Sequence, residues 1–286
     1  MRFRFIQQYA KRFGVQRLCE LLAVSRSGYY AWHNRLPSKR AREDKVLLAL
    51  IQARHKASHG IYGYRKVHAT LQSDIPCGRD RVARLMRQNG LWGRQKRRFV
   101  RTTQSDHNLP VAPNLLAQDF SASTTNEKWV ADITYIPTDE GWLYLAAIED
   151  LFSRYIAGWA MESSLSDLLT RKALAMALRR RRPAAGLVHH SDRGGQYASQ
   201  DFRALLDGAG IVQSMSRKGN TYDNAPIESF FSRLKNEWIH HQHYHTRDEA
   251  RRDIFEYIEV FYNRQRVHSA LSYRSPIEFE ALHVAP

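Results

Sequence analysis

Cysteine is nearly absent from this chain. Cys19 and Cys77 are its two, they lie far apart, and neither has a mate at Cys-x-x-Cys spacing. That excludes a disulfide framework and a cysteine-based zinc module, and it favours a reduced compartment such as the cytoplasm. Long apolar runs are missing too: nothing approaches the roughly 20 consecutive apolar residues of a membrane span. The opening Met1-Arg2-Phe3-Arg4-Phe5-Ile6 breaks into charge too early for a secretion signal. No heptad repeat is sustained, so no coiled coil is expected from the chain itself. Acidic residues are the scarce charge, with 28 Asp+Glu against 44 Lys+Arg in 286 residues and a formal net charge of +16. A surplus of that size calls for a polyanionic partner. The 43% hydrophobic and 11% aromatic content supplies a core, so the charge belongs to a folded protein rather than a disordered tail. The length favours two or more domains.

Residues 16–32 read as a helix-turn-helix: one helix through Leu22, a break at Ala23-Val24, and a second helix opened by Ser25 that carries Tyr29, Tyr30 and Trp32. The same logic recurs over 62–90, where a first helix from Tyr64 leads through Pro76-Cys77-Gly78 into a second that ends at Gly90. That second helix sets Arg79, Arg81, Arg84 and Arg87 beside Val82, Leu85 and Met86. A packing domain whose basic face is merely solvated would show the same pattern. In a chain this basic, contact with double-stranded DNA is the stronger reading, with Arg65, Arg79, Arg81 and Arg84 as candidate phosphate contacts. The run Leu91-Trp92-Gly93-Arg94-Gln95-Lys96-Arg97-Arg98 is either a solvated linker or a phosphate track. The expected organisation is an amino-terminal helix-turn-helix segment (1–36), a second helical DNA-binding domain (37–101), a linker rich in Ser, Thr, Asn and Pro (102–126), a catalytic core (127–241) and a helical tail (242–286).

After residue 126 the periodicity changes. Strands are predicted over 128–136, 142–148 and 155–161 with short connections, which form a meander. A helix over 166–182, a strand over 187–191, a helix over 199–207, a strand over 211–215 and a long helix over 225–239 follow. Three strands, helix, strand, helix, strand, helix is the order of a ribonuclease-H-like α/β fold, a mixed five-stranded sheet with flanking helices.

Within that order three carboxylates stand out. Asp132 lies mid-strand in Trp129-Val130-Ala131-Asp132-Ile133-Thr134-Tyr135. Asp192 follows the fourth strand in His190-Ser191-Asp192-Arg193-Gly194-Gly195, and Glu228 sits on the last core helix in Asp223-Asn224-Ala225-Pro226-Ile227-Glu228-Ser229. Adjacent central strands and a flanking helix can bring all three to one sheet edge. Carboxylates are the hard oxygen ligands that magnesium or manganese prefers, and two such ions about 3.5–4 Å apart can drive in-line displacement at phosphorus. Lys235 lies seven residues after Glu228 on the same helix face, within reach of a backbone phosphate. Arg193 and Lys218, in polar Gly-containing loops beside the acids, are further DNA-contact candidates.

These blocks, together with Gly60-Ile61-Tyr62-Gly63-Tyr64-Arg65 and the carboxyl-terminal Tyr262-Asn263-Arg264-Gln265-Arg266-Val267-His268 and Ser275-Pro276, closely resemble the OrfB-type transposases of bacterial insertion sequences. That family shares its catalytic core with retroviral integrases. The 35 residues between Asp192 and Glu228 match the spacing of the family's acidic triad. The resemblance implies that Asp132, Asp192 and Glu228 are the metal-binding catalytic triad, using two Mg2+ or Mn2+ ions, and that Lys235 is the basic residue after the glutamate. It implies action on the element's terminal inverted repeats and on target DNA, by cleavage and 3′-hydroxyl strand transfer, as a multimer on DNA in the cytoplasm at the nucleoid. A partner encoded by an upstream frame, separate or fused, is also implied. Two other readings stand beside it: a DNA-binding regulator with a relic triad, and a ribonuclease-H-like nuclease acting on RNA–DNA hybrids. The histidines His240, His241, His243 and His245 trail the catalytic helix, where a solvated or phosphate-facing helix end explains them better than zinc. His189 and His190 are either packed strand residues or supports of the site.

Overall fold

The computed structural model describes residues 1–94 and 110–283; the basic run Gln95-Lys96-Arg97-Arg98 and residues 102–109 of the expected linker lie outside the described residues. Strand β1 (Lys128–Thr138) is apolar on both faces through most of its length, and that makes it the axis of the core. It pairs antiparallel with β2 (Gly141–Asp150) across a tight hairpin, and parallel with β4 (Val188–Ser191). With β3 (Ile156–Glu162) and β5 (Val212–Met215), the order is β3-β2-β1-β4-β5. Parallel neighbours need crossovers. Helix α7 (Asp167–Arg181) supplies one, and the pair α8 (Gly195–Ala198) and α9 (Gln200–Gly208) supplies the other. The predicted mixed sheet and the order of its elements are those observed.

Trp129, Ala131, Ala146, Ile148 and Ala157 meet Leu169, Ala173, Leu174 and Ala177 of α7 on one face of the sheet. Gly158 lets that helix settle, since a Cβ there would stand 2.2 Å from the Ala173 carbonyl oxygen. On the other face Val130, Ile136, Leu143, Leu145 and Ala147 are covered by Ile227, Phe230, Phe231 and Leu234 of α10 (Ala225–Glu237). The alternation of β1 therefore feeds two cores, one per face.

Before the sheet lie two helical units. In the first, α2 (Val15–Leu21) and α3 (Arg26–His33) form the expected pair, and the Ser25 hydroxyl caps α3 by accepting from the Gly28 N–H at 3.0 Å. A helix not anticipated in the sequence, α1 (Arg2–Phe13), completes this unit by burying Ile6 against Leu18, Cys19 and Tyr29. The second unit is α4 (Lys39–Ala57), α5 (Tyr64–Leu71) and α6 (Arg79–Gln88), centred on Leu47, Ile51, Val67, Leu71, Val82, Leu85 and Met86. Its core runs without a break into the α10 side of the sheet.

The described part of the expected linker is a strap rather than a spacer. The Leu115 N–H donates to Ser214 Oγ at 2.9 Å, and Leu116 is buried. The tail, α11 (Arg247–Phe255) with a wider-turned continuation over Glu256–Tyr262 and then α12 (Pro276–His283), is a clamp. Asn263 accepts from the Ile156 N–H at 2.9 Å and donates to the Ile156 carbonyl at 3.2 Å, which closes the open edge of β3. Arg266 grips Glu237 at the end of α10 through both carboxylate oxygens, Nε to Oε2 at 2.6 Å, and the Tyr257 hydroxyl donates to the same Oε2 at 3.1 Å. The Tyr62 hydroxyl joins the second helical unit to the tail, accepting from the Val267 N–H at 2.8 Å and donating to the Gln265 carbonyl at 3.2 Å. No helix among the described residues is long and apolar enough to cross a membrane.

Arg266 is only 4% exposed, so removing it strands the Glu237 carboxylate in a largely dry setting. Arg266→Ala is expected to cost about 3–5 kcal/mol in urea unfolding. The double variant Arg266→Met/Glu237→Gln is expected to recover much of that loss.

Candidate active site

Parallel pairing of β1 with β4 sets Ala131 opposite Ser191, so Asp132, still within β1, and Asp192, just past the end of β4, come next to each other. Each carboxylate is oriented locally. Asp132 Oδ1 accepts from the Ile133 N–H at 2.7 Å, and Asp192 Oδ1 accepts from the Gly194 N–H at 2.9 Å. A Cβ on residue 194 would press to 3.0 Å from that same oxygen, which explains a glycine in this turn.

The third acid comes from α10, and two neighbours of Glu228 position the start of that helix. Asn224 Nδ2 donates to the Ala131 carbonyl at 2.9 Å, tying the helix to β1 one residue before Asp132. Asp223 is fully buried and accepts from the Arg217 N–H, Nε and Nη2 at 2.8, 3.0 and 2.8 Å, from Asn114 Nδ2 at 2.9 Å and from Gln118 Nε2 at 3.0 Å. The Arg217 guanidinium holds this carboxyl far below the usual carboxylate range. Asp223 is thus a permanent anion that gathers the loop, the strap and the helix start. Sequence reasoning quoted the motif holding both residues but gave a role only to Glu228. The signal available was a short polar pair just before a Pro-initiated helix.

Beneath the site lies a polar floor. His190 Nδ1 is 2.8 Å from Ser214 Oγ and Nε2 is 3.1 Å from Ser216 Oγ. Burial pushes His190 down to about 4, so at neutral pH it is an uncharged bridge between β4 and β5. His189 is buried among Tyr197 and Phe202, with ring centroids at 6.2 and 5.4 Å, and burial pushes it down to about 3. Of the pair, His190 ties β4 to β5 and His189 packs the core.

The electrostatics identify which groups share the site. Asp132 is raised well above the ordinary carboxylate range, chiefly by burial and then by the charges of Asp192 and Glu228, while Lys235 acts in the opposite direction. Burial lowers Lys235, and Asp132 works against that shift. Asp192, Glu228 and Lys235, predicted from widely separated segments, thus all act on Asp132. Three carboxylates against one ammonium leave a cation-demanding centre of hard oxygen donors, a set that fits magnesium or manganese.

The expected DNA contacts fare unequally. Arg81 and Arg84 do not form a free row with Arg79. Arg81 Nε binds Asp44 Oδ1 at 2.6 Å, Arg81 Nη2 binds Glu43 Oε2 at 3.3 Å, and Arg84 Nη2 binds Asp44 Oδ2 at 2.7 Å, pinning α6 to α4. Arg79 is exposed, and so is Arg65, whose guanidinium lies 5.8 Å from the Tyr64 ring centroid. Arg193 donates Nε to the Ser216 carbonyl at 2.7 Å and so steadies the turn after β4. Lys218 is exposed in the loop before α10.

Family models match most of the chain. An integrase core domain family matches residues 122–221, a second integrase core domain family matches 228–283, and an HTH-like domain family matches 41–99. The chain is 51% identical over 263 residues to the insertion element IS600 31 kDa protein of Shigella sonnei, covering 92% of this chain and 97% of that one. It is 41% identical to the transposase InsF for insertion sequence IS3A of Escherichia coli K12, covering 100% of both chains. Among solved structures, the HTLV-2 integrase catalytic core domain in complex with magnesium is 16% identical, with a TM-score of 0.44 over 56% of this chain and 99% of that chain.

Because Asp192 and Glu228 repel Asp132 when no cation is present, Asp192→Asn is expected to raise the melting temperature of the metal-free protein by about 2–4 °C. The asparagine retains the oxygen that accepts from Gly194. The same variant is expected to lose most of the stabilisation that added Mg2+ gives the wild type, as read by differential scanning fluorimetry.

Proposed function

The chain belongs to the transposases of IS3-type insertion sequences, DDE-type enzymes with an integrase catalytic core, and from that premise we propose that Asp132, Asp192 and Glu228 are its catalytic, metal-binding carboxylates. The observation that carries this reading is a convergence of elements: Ala131 pairs with Ser191 one residue before Asp132 and Asp192, and Asn224 ties the start of the helix that bears Glu228 to the Ala131 carbonyl. When bound, two magnesium or manganese ions supply Lewis acidity to the phosphodiester and lower the pKa of the attacking group.

The protein's own residues do the rest. Asp132 and Asp192 present oxygens from adjacent parallel strands, with orientation set by the Ile133 and Gly194 N–H groups. Glu228 presents its carboxylate from a helix fixed to β1 by Asn224. Lys235, two turns further along α10, offers an ammonium to the scissile phosphate or its neighbour. Attack at phosphorus by water nicks the strand, and attack by a 3′-hydroxyl joins two ends.

The substrates are double-stranded DNA: the element's terminal inverted repeats and a target. Recognition falls to the two helical units. Within the second, exposed Arg65, Arg79 and Arg87 face phosphates, whereas Arg81 and Arg84 are spent on Asp44. Arg193 and Lys218 border the carboxylate centre and extend the basic surface to the cut site. The enzyme acts in the cytoplasm as a multimer that bridges two DNA ends, with a partner from an upstream frame contributing to end recognition.

Two measurements test this. Glu228→Gln is expected to abolish Mg2+-dependent cleavage and joining of a plasmid carrying both element ends while leaving end binding within about twofold; full cleavage by this variant would remove Glu228 from the centre. Arg79→Ala is expected to weaken DNA binding and reduce the salt dependence by about one ion. Arg81→Ala is expected instead to lower thermal stability, because it releases Asp44, and equal effects of the two substitutions on binding would contradict the assignment.

A further inference from the structure

The four histidines after the catalytic helix do not act as one group. His241 Nε2 lies 2.9 Å from the Asn236 carbonyl, while His243 and His245 leave an extended segment on the same side, with buried Tyr244 pointing the other way between them. Their partner comes from more than 100 residues earlier in the chain. Asp139, at the tip of the β1–β2 hairpin, receives His243 Nε2 at 3.1 Å and His245 Nδ1 at 2.9 Å on the same oxygen, Oδ2. The two rings stand edge to face at 4.9 Å.

We propose that Asp139, His243 and His245 form a binding site for a divalent transition-metal ion of the zinc class, separate from the carboxylate centre. Two imidazole nitrogens and one carboxylate oxygen are a donor set that zinc favours and magnesium does not. The three donor atoms lie within 4.8 Å of one another. Four-coordinate zinc with bonds of about 2.0–2.1 Å holds its ligand atoms about 3.3 Å apart, so small side-chain rotations close the site. Each imidazole shifts its proton to the other ring nitrogen, and the ion replaces two hydrogen bonds to Oδ2. The fourth position is left to water.

The backbone bearing these side chains is already fastened. The Asp139 N–H donates to the Tyr244 carbonyl at 3.0 Å, and the Arg247 N–H donates to Glu140 Oε2 at 2.9 Å. The His245 N–H donates to Glu249 Oε2 at 2.8 Å as part of the cap of α11. The Tyr244 hydroxyl is bound to Asp253 Oδ2. Hairpin tip and helix start are thus preset, and the ion would cross-link them. Asp139 lies seven residues beyond Asp132 on the same chain, on the order of 20 Å at strand rise, so the two centres are filled independently.

The test titrates Zn2+ into the full chain under excess Mg2+, by calorimetry and by competition with a chromogenic chelator. Wild type is compared with His243→Ala, His245→Ala and Asp139→Asn, and with His283→Ala as a control for an exposed histidine. One equivalent bound by wild type and by the control, weakened by more than about tenfold in each of the three variants, supports the site. Co2+ is expected to give wild type and the His283→Ala control, but none of the three site variants, the intense visible absorption of a four-coordinate ion. All three side chains are exposed, so circular dichroism and metal-free melting should match wild type; His243→Ala suffices if Asp139→Asn disturbs the hairpin. No zinc binding by wild type at micromolar concentration, or binding unchanged in His243→Ala, overturns the proposal.

Discussion

Glu228 stays beside Asp132 and Asp192 because α10 is fixed at both ends against the repulsion that like charges impose. At its start, Asn224 bonds the Ala131 carbonyl, and the Asp223 hub draws in Arg217, Asn114 and Gln118. At its end, Arg266 and Tyr257 hold Glu237, and Arg94 donates to the Glu237 carbonyl. Between the two, Ile227, Phe230, Phe231 and Leu234 bury the helix on β1 and β2. Apolar burial provides the adhesion, while the polar anchors set where along β1 the helix comes to rest.

Neighbouring contacts connect the helical unit ahead of the sheet to α10. Tyr62 bonds the tail at Val267 and Gln265, and His59 sits edge-on against Trp238 at 4.8 Å. Lys66, half-buried beside Arg266, is pushed down to about 7 by its burial and then by that guanidinium. The helical unit that matches the HTH-like domain family is therefore in direct contact with the end of the helix that carries Glu228. The two surfaces are joined by a short, continuously packed path.

Several residues noted in the sequence for charge or motif turn out to be spent on structure. Arg81 and Arg84 neutralise Asp44, which would otherwise be an acid stranded between α4 and α6. Asn263 substitutes for a missing strand beside Ile156, and Arg266 pairs with both carboxylate oxygens of Glu237. Asn263 and Arg266 belong to a motif that carries the family resemblance, yet the reason for each residue is packing and hydrogen-bond satisfaction.

The sequence by itself determined the alternation of helix and strand periods, the order of elements in the core, the surplus of positive charge and the three acids with their lysine. These are local or compositional properties, written in spacings of two and 3.6 residues and in side-chain chemistry. The tertiary structure alone decided which basic residues are committed to Asp44 and which stay exposed. It also revealed α1 closing the first helical unit, the strap over β5, the roles of Asp223 and Asn224, and the meeting of Asp139 with His243 and His245. Those depend on contacts between residues that range from about a dozen positions apart, for α1, to more than 100 for Asp139, and no local pattern records where a chain so long returns to itself.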